Sequence, residues 1–294
     1  MFRSGFIAII GCPNVGKSTI LNALVGQKVA IVSKRAQTTR NRIMGVVTRE
    51  DYQMVFLDTP GVHTPRNRLG EYMVKVAYDS LDEVECILFV ADAAMGIMER
   101  DERLLERLKI TKTPVIAALN KIDITTPDRF KIAYDRLSSE AWLDKLIPVS
   151  ALENNGIDAL EAALSAHLVE GPKYFPDDMV TDQPERVVCA ELVREKALQL
   201  LEKEVPHGIG VDIDKMEVRP ERRIVDVWAT IYCERDSHKG IIIGKNGEML
   251  RRIGQLARKD MEWMLGMQVN LQLWVKVKSD WRNKLSVMRE LGYE

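Results

Sequence analysis

The octapeptide GCPNVGKS at residues 11–18 constrains this chain more than any other stretch, because of what lies on either side of it. An apolar run from Gly5 to Ile10 leads into it, and Thr19 to Leu24 continue with helical spacing, so the order is strand, loop, helix N-terminus. Gly11 and Gly16 let backbone N–H groups close around a polyphosphate, with Cys12, Pro13, Asn14 and Val15 forming the loop between them. Lys17 reaches the outer phosphates, Ser18 offers a hydroxyl to Mg²⁺, and Thr19 opens a helix whose dipole favours negative charge. An accidental glycine turn is the competing explanation; the strand before it and the helix after it argue against that.

The base is addressed by a second segment. The apolar run Val115 to Leu119 ends in Asn120-Lys121-Ile122-Asp123. A carboxylate at Asp123 can accept hydrogen bonds from N1–H and N2–H₂ of guanine, whereas adenine has neither donor there. The unpaired partner then costs about 1–3 kcal/mol or more, and a site built on such bonds rejects analogues by roughly 10⁴. Asn120 would brace the loop, and the stem of Lys121 would lie over the purine face. After the strand-like run Leu146 to Val149, Ser150-Ala151-Leu152 is placed to give a backbone N–H to guanine O6, although Ser-Ala alone carries almost no information.

Two segments between these read as switches. Asp58-Thr59-Pro60-Gly61 ends the strand-like run Tyr52 to Leu57, where the carboxylate can hold Mg²⁺ through water and the Gly61 N–H can meet a γ-phosphate. Upstream, Gln37-Thr38-Thr39-Arg40-Asn41 lies in a polar stretch without periodicity, which can order around the metal and γ-phosphate and loosen when that phosphate leaves. Either Thr38 or Thr39 could be the metal ligand. A basic surface loop is the plain alternative for that stretch.

GCPNVGKS, QTTR, DTPG, NKID and SAL, in this order, resemble the Era-like, translation-factor-related GTPases. Val62 follows DTPG where Ras-type GTPases carry the glutamine that orients water, so water must be positioned by another group. The resemblance implies that Asn14 can help hold K⁺ where an arginine finger would otherwise place charge; a simple loop-capping role for Asn14 stays open.

At 294 residues the chain has room for two ordinary domains. No apolar run approaches the roughly 20 residues of a membrane span, and the first strand begins too early for a cleaved leader. Cys12, Cys86, Cys189 and Cys233 lack metal or disulfide spacing, which points to a reducing cytoplasm. His63, His167, His207 and His238 are scattered and receive no catalytic role. Strand-like and helix-like runs alternate through the first half, including a helix from Gly156 to Val169, and predict a mainly parallel sheet with helices on both faces. Breakers and acids then mark a linker, so the expected division is residues 1–172, a linker at 173–183, and 184–294.

The second half reads α-β-β-α-α-β, with extended runs Gly210 to Val218, Ile224 to Cys233 and Val269 to Val277, an amphipathic helix Met249 to Leu265 and a terminal helix Trp281 to Leu291. Between two helices lies HKGIIIGKNG, residues 238–247, which resembles the loop of a type II KH domain. The expected architecture is therefore an α/β P-loop NTPase domain followed by an α+β KH domain. Gly244 and Gly247 would let the loop approach a sugar-phosphate backbone, Lys245 supplies charge, and Ile241 and Ile243 line a groove for unstacked bases. Lys239, Gly240, Arg251 and Arg252 extend this RNA-binding set. Asn246 stands where relatives often have a second glycine. The whole-chain charge of −1 does not advertise nucleic acid, but a local basic patch suffices. Trp274 and Trp281 are read as core ahead of base stacking.

What this implies is a GTP-hydrolysing switch that uses GTP/GDP, Mg²⁺ and K⁺ and is expected to be monomeric. The resemblance to the Era-like GTPases implies that its partner is small-subunit (16S) ribosomal RNA near the 3′ end and its task maturation of the small (30S) subunit. Ordering of Ser33 to Arg42 and Val62 to Tyr78 by γ-phosphate would expose or cover the RNA groove. The resemblance also implies weak peripheral association with the inner membrane face. A GTP-regulated protein- or membrane-docking switch with little intrinsic hydrolysis is the alternative.

Overall fold

The computed structural model describes residues 1–33, 35, 38–82 and 84–293, which form two compact units. The first comprises residues 1–30, 39–65 and 70–182; the second comprises 31–38, 66–69 and 183 onward.

In the first unit β1 (Arg3–Ile10) is followed by α1 (Lys17–Val25), β2 (Ile43–Thr48), β3 (Tyr52–Asp58), α2 (Arg68–Asp79), β4 (Cys86–Asp92), α3 (Glu99–Leu108) and β5 (Val115–Asn120). Then come α4 (Pro127–Ser138), β6 (Lys145–Pro148), α5 (Ile157–Ser165) and β7 (Val169–Glu170). The sheet order is β2-β3-β1-β4-β5-β6, parallel except for β2 against β3, with β7 paired antiparallel to β1. Both faces are covered, which is why the strands read as near-continuous apolar runs. Ile7 and Ile9 pack with Ile20, Leu21 and Leu164 on one face. Ala8 and Ile10 pack with Leu104, Leu108 and Leu137 on the other. Helix α4 shows how locally such elements are encoded: Thr126 caps it by accepting the Arg129 N–H at 3.4 Å, and Pro127 sits at its first position.

Helix α5 stops at Ser165, short of the Val169 expected from its periodicity. The reason is an open edge. β1 pairs with β4 only from Ile7 onward, so Arg3 and Ser4 take Glu170 and Val169 as partners instead. The segment read as a linker is also occupied. Gln53, buried in β3, gives its amide to the Phe175 carbonyl (2.9 Å) and accepts the N–H groups of Tyr174 (2.8 Å) and Phe175 (3.0 Å). Val180 accepts the outward Val46 N–H at 2.9 Å, so residues 173–182 run as cover along edge strand β2 and belong to the first unit.

The second unit contains α6 (Glu185–Leu200), β8 (Gly210–Arg219), β9 (Ile224–Cys233), α7 (Asp236–Ile243), α8 (Glu248–Leu265), β10 (Gln268–Val277) and α9 (Leu285–Glu290). Its sheet order is β10-β9-β8, with β8 antiparallel and β10 parallel to β9. Leu192, Val193, Ala197, Val227, Ala229, Ile253, Ala257 and Met261 form its core. Residues 31–38 join this unit because Glu195 accepts the Val32 N–H (2.9 Å) and buried Arg194, also paired with Glu191, donates to the Thr38 carbonyl. The expected terminal helix is split into a 3₁₀ turn, Trp281–Asn283, and α9. Trp281 imposes the break: it is fully buried, donates to the Gly208 carbonyl at 2.8 Å and stacks on Tyr293 with centroids 5.9 Å apart.

Candidate functional site

The glycine turn sits between β1 and α1. Gly16 has φ +102°, and a Cβ there would lie 2.2 Å from Asn120 Nδ2, so glycine is required twice over. Lys17 is buried and folds onto its own loop, donating to the carbonyls of Gly11 (3.1 Å) and Cys12 (3.2 Å). Burial lowers its pKa, countered by attraction to Asp58. Burial, then the neighbouring Asp101, pushes the Cys12 thiol up to about 12, which removes it as a nucleophile. Thr19 is half-buried on α1.

Three oxygen-bearing side chains converge beside Lys17. Ser18 donates to Asp58 Oδ2 at 2.7 Å, the Ser18 and Thr39 hydroxyls are 2.9 Å apart, and Thr39 donates to the same Asp58 oxygen at 3.4 Å. Thr39 is thus the threonine at this cluster, while Thr38 turns its hydroxyl to the Arg35 carbonyl at 2.7 Å. Asp58 is fully buried, and burial pushes its carboxyl up to about 6 despite Lys17 and the two hydroxyls. Its other oxygen, Oδ1, is buried without a partner. A hard-oxygen set with one orphaned carboxylate oxygen fits Mg²⁺.

Around this cluster the backbone is locked. Thr59 donates to the Ile9 carbonyl at 2.7 Å, and the Val62 N–H reaches the Gly11 carbonyl at 3.1 Å. Gly61 packs so closely on Pro13 of the phosphate loop that a Cβ would lie 2.7 Å from the Pro13 Cα, so only glycine fits here. Pro60 is buried. Arg40 is buried and Asn41 accepts the Tyr72 hydroxyl at 3.0 Å. Gln37 lies outside the described residues.

The NKID segment is joined to the phosphate loop through side chains. Asn120 donates to the Val15 carbonyl at 2.9 Å and accepts the Ala151 N–H at 3.1 Å, so one carboxamide spans both loops. Lys121, in a left-handed conformation, bonds the Asn14 carbonyl and Asp92 Oδ2, each at 2.6 Å. Asn14 is itself left-handed and exposed. Ile122 closes the turn on Val149 (3.3 Å), and Asp123 is exposed, with Oδ1 accepting the Ser150 hydroxyl at 2.6 Å. The bond to Asn120 differs from the expected role of the Ala151 N–H at a base edge. Leu152 is exposed. Asp92 was not among the sequence candidates. It ends β4 and holds Lys121 in place while accepting the N–H groups of Ala94 (2.9 Å) and Met95 (3.1 Å).

In the second unit, Gly244 (φ +73°), Asn246 (φ +52°) and Gly247 (φ +78°) shape the loop between α7 and α8. Asparagine tolerates the left-handed region better than other non-glycine residues, so the loop keeps its path at Asn246. A groove of about 340 Å³ follows, lined by Gly247, Leu250, Arg251, Gly254, Gln255, Arg258, Leu271 and Leu273. Of the sequence candidates only Gly247 and Arg251 line it. Lys239, Gly240, Ile241, Ile243, Gly244, Lys245 and Asn246 stay on the loop and α7, and Arg252 points elsewhere on α8. The missed wall is strand β10, and Gly254 gives it room: a Cβ there would lie 3.3 Å from Leu273 Cδ1. A glycine inside an amphipathic helix was the available signal.

The 50S ribosome-binding GTPase family matches residues 6–121 and the KH domain family matches residues 204–282. GTPase Era of Clostridioides difficile (strain 630) is 52% identical over 294 residues, covering 100% of this chain and 99% of that protein. GTPase Era of Alkaliphilus metalliredigens (strain QYMF) is 51% identical over 293 residues, with 100% and 99% covered. A crystal structure of Era with MgGDPNP and nucleotides 1506–1542 of 16S ribosomal RNA superposes with a TM-score of 0.95 at 41% identity, covering 100% of this chain and 99% of that one. Aquifex aeolicus Era, as a variant bound to GDP·AlF₄⁻, matches with a TM-score of 0.95 at 41% identity and 99% of each chain covered.

Proposed function

The chain belongs to the Era family of GTPases, and from that membership we propose that its RNA partner is small-subunit ribosomal RNA near the 3′ end and its task the maturation of that subunit. The observation that carries the nucleotide half is Asn120: its carboxamide bonds the phosphate loop at 2.9 Å and the Ser150-Ala151 loop at 3.1 Å, which supports a reading in which phosphates and base share one pocket. In this reading Asp123, oriented by Ser150, accepts from the guanine edge, and Lys17 leaves its loop carbonyls for the outer phosphates. Ser18, Thr39 and Asp58 would hold Mg²⁺, which when bound offsets charge on the phosphoryl oxygens. The relative solved with MgGDPNP supports the ion, and the same relative's 16S fragment supports the RNA.

Valine at position 62 leaves no polar side chain to orient water, so we extend the proposal to K⁺ at Asn14. Hydrolysis measured in KCl and NaCl at equal ionic strength tests this; equal rates reject it. The groove between α8 and β10 supports a reading in which unstacked bases lie against Leu250, Leu271 and Leu273 and the lining Arg251 and Arg258 meet the backbone. Crosslinking in cells followed by sequencing of the attached RNA tests the partner and the ribosomal assignment together. The expected result is enrichment of small-subunit RNA near its 3′ end, and enrichment elsewhere rejects the assignment. Among the described residues no helix is long and apolar enough to cross a membrane. The cytoplasm and a monomeric state complete the proposal.

A further inference from the structure

Asp92, at the end of β4, divides its carboxylate between two tasks. Oδ1 accepts the N–H groups of Ala94 (2.9 Å) and Met95 (3.1 Å), which shapes the turn after the strand. Oδ2 accepts the Lys121 ammonium at 2.6 Å, and the same ammonium donates to the Asn14 carbonyl at 2.6 Å. The turn is also held by its backbone. The Ala93 N–H reaches the Asn120 carbonyl (2.8 Å), the Thr125 hydroxyl donates to the Ala93 carbonyl (3.0 Å), and the Arg129 guanidinium donates to the Ala94 carbonyl (3.2 Å). The turn is thus secured by Oδ1 and these backbone bonds, and Oδ2 is left to act on Lys121.

Lys121 joins two strained positions. Asn14 and Lys121 both have φ +67°, a left-handed conformation that residues with a side chain avoid. Such residues persist where their surroundings over-determine them. The bond from Lys121 restrains the backbone at Asn14, and Asp92 restrains Lys121 in turn. A lysine ammonium on its flexible four-carbon stem needs such a partner to stay in one place. The Lys121 side chain is 29% exposed and that of Asp92 9%, so the pair is shielded more than a surface ion pair and its charge-assisted bond has corresponding strength. We propose that Asp92 is a positioning residue for guanine-nucleotide binding: its charge keeps the Lys121 ammonium on the Asn14 carbonyl, which lays the lysine stem along the purine face and holds the phosphate loop in its turn, so that GDP and GTP are both released slowly. This rests on the reading of the pocket as a guanine-nucleotide site with the Lys121 stem over the base. The stem meets the ring face, so Asp92 governs affinity for the purine without selecting the group at C2, which is the task of Asp123.

The test is a double-mutant cycle on the full chain, stripped of nucleotide. Asp92→Asn keeps an oxygen for the Ala94 and Met95 N–H groups and sets an amide donor against the Lys121 ammonium. Lys121→Met keeps an apolar stem and removes the ammonium. In the parent background Asp92→Asn should raise the Kd of GDP and of GTP about tenfold, the scale of one charge-assisted hydrogen bond, and speed dissociation of a fluorescent GDP to match. In the Lys121→Met background the same substitution should change Kd by less than about twofold. The loss in the parent background should be equal for inosine diphosphate, which lacks the 2-amino group. An unchanged Kd in Asp92→Asn, a loss that persists in the Lys121→Met background, or a loss confined to GDP overturns the proposal. Failure of the parent to bind GDP in preference to ADP overturns the guanine reading itself, a separate outcome from an uncoupled cycle.

Discussion

Asp58→Asn isolates the electrostatic cost built into the candidate metal site. The Asp58 carboxyl is pushed up to about 6 by burial, against an ordinary value of 3.8 that the unfolded chain keeps. The folded, metal-free protein therefore binds this proton more tightly than the unfolded chain. The sign follows: Asp58 contributes stability that is fully present below about pH 4 and is lost as pH rises through about 6. A shift of roughly two units corresponds to about 3 kcal/mol. Asparagine removes the charge and keeps an oxygen to accept from Ser18 and Thr39. After stripping of nucleotide with EDTA, urea denaturation near neutral pH should show the variant more stable by about 1–3 kcal/mol, the lower end allowing for weaker hydrogen bonds. The gap should close as pH falls toward the ordinary carboxylate range. With Mg²⁺ and GTP the order should reverse, because only the parent gains stability from tight binding of both. Equal stability of the two stripped proteins near neutral pH, or a gap that does not shrink on acidification, would refute the reasoning.

Gly16→Ala adds a Cβ 2.2 Å from Asn120 Nδ2 at φ +102°. Strain of about 1–2 kcal/mol and loss of the buried Asn120 to Val15 bond, about 1–3 kcal/mol, should appear as a lowered denaturation midpoint and as weakened binding of GTP and GDP alike by calorimetry. Asp123→Asn replaces an acceptor by a donor at the base edge. Affinity for guanine nucleotides should fall by roughly 10² or more and that for xanthine nucleotides, which carry a carbonyl at C2, should rise, as read by competition. Trp281→Ala empties a fully buried site and strands the Gly208 carbonyl, so thermal unfolding should report a loss of about 3–5 kcal/mol. Gly254→Val should close the groove against Leu273 and lower single-strand RNA affinity at least tenfold in a filter-binding assay, with GTP affinity unchanged.

The parts of the site legible in the sequence are those in which function and local backbone coincide. The glycine turn, the strand ends at Asp58 and Asn120, and the loop at Gly244 to Gly247 each encode their geometry within a few residues, so spacing alone located them. The Thr38 or Thr39 choice was of another kind. In a segment without periodicity, which hydroxyl faces Ser18 and Asp58 depends on the direction of the chain, and the 2.9 Å approach of Thr39 to Ser18 is visible only in the structure. Asp92 was hidden because an acid at a strand end is ordinary until a lysine just past the end of the neighbouring strand is seen to bond it at 2.6 Å. Strand β10 as a groove wall likewise requires the parallel register of β10 on β9, a long-range pairing that no local pattern reports.

The assignment of Arg252 shows a different limit, one of arithmetic instead of range. Arg251 and Arg252 look equivalent in the sequence, yet adjacent helix positions differ by 100° and cannot share a face. Arg258, seven residues after Arg251, returns to the groove side, and Lys259 returns to the side of Arg252 for the same reason. The basic patch of α8 is therefore two patches on one helix, and only the first lines the groove. The charge on the second is exposed beside an accessible tryptophan, so two arginines that read alike in the sequence serve different surfaces of the same helix.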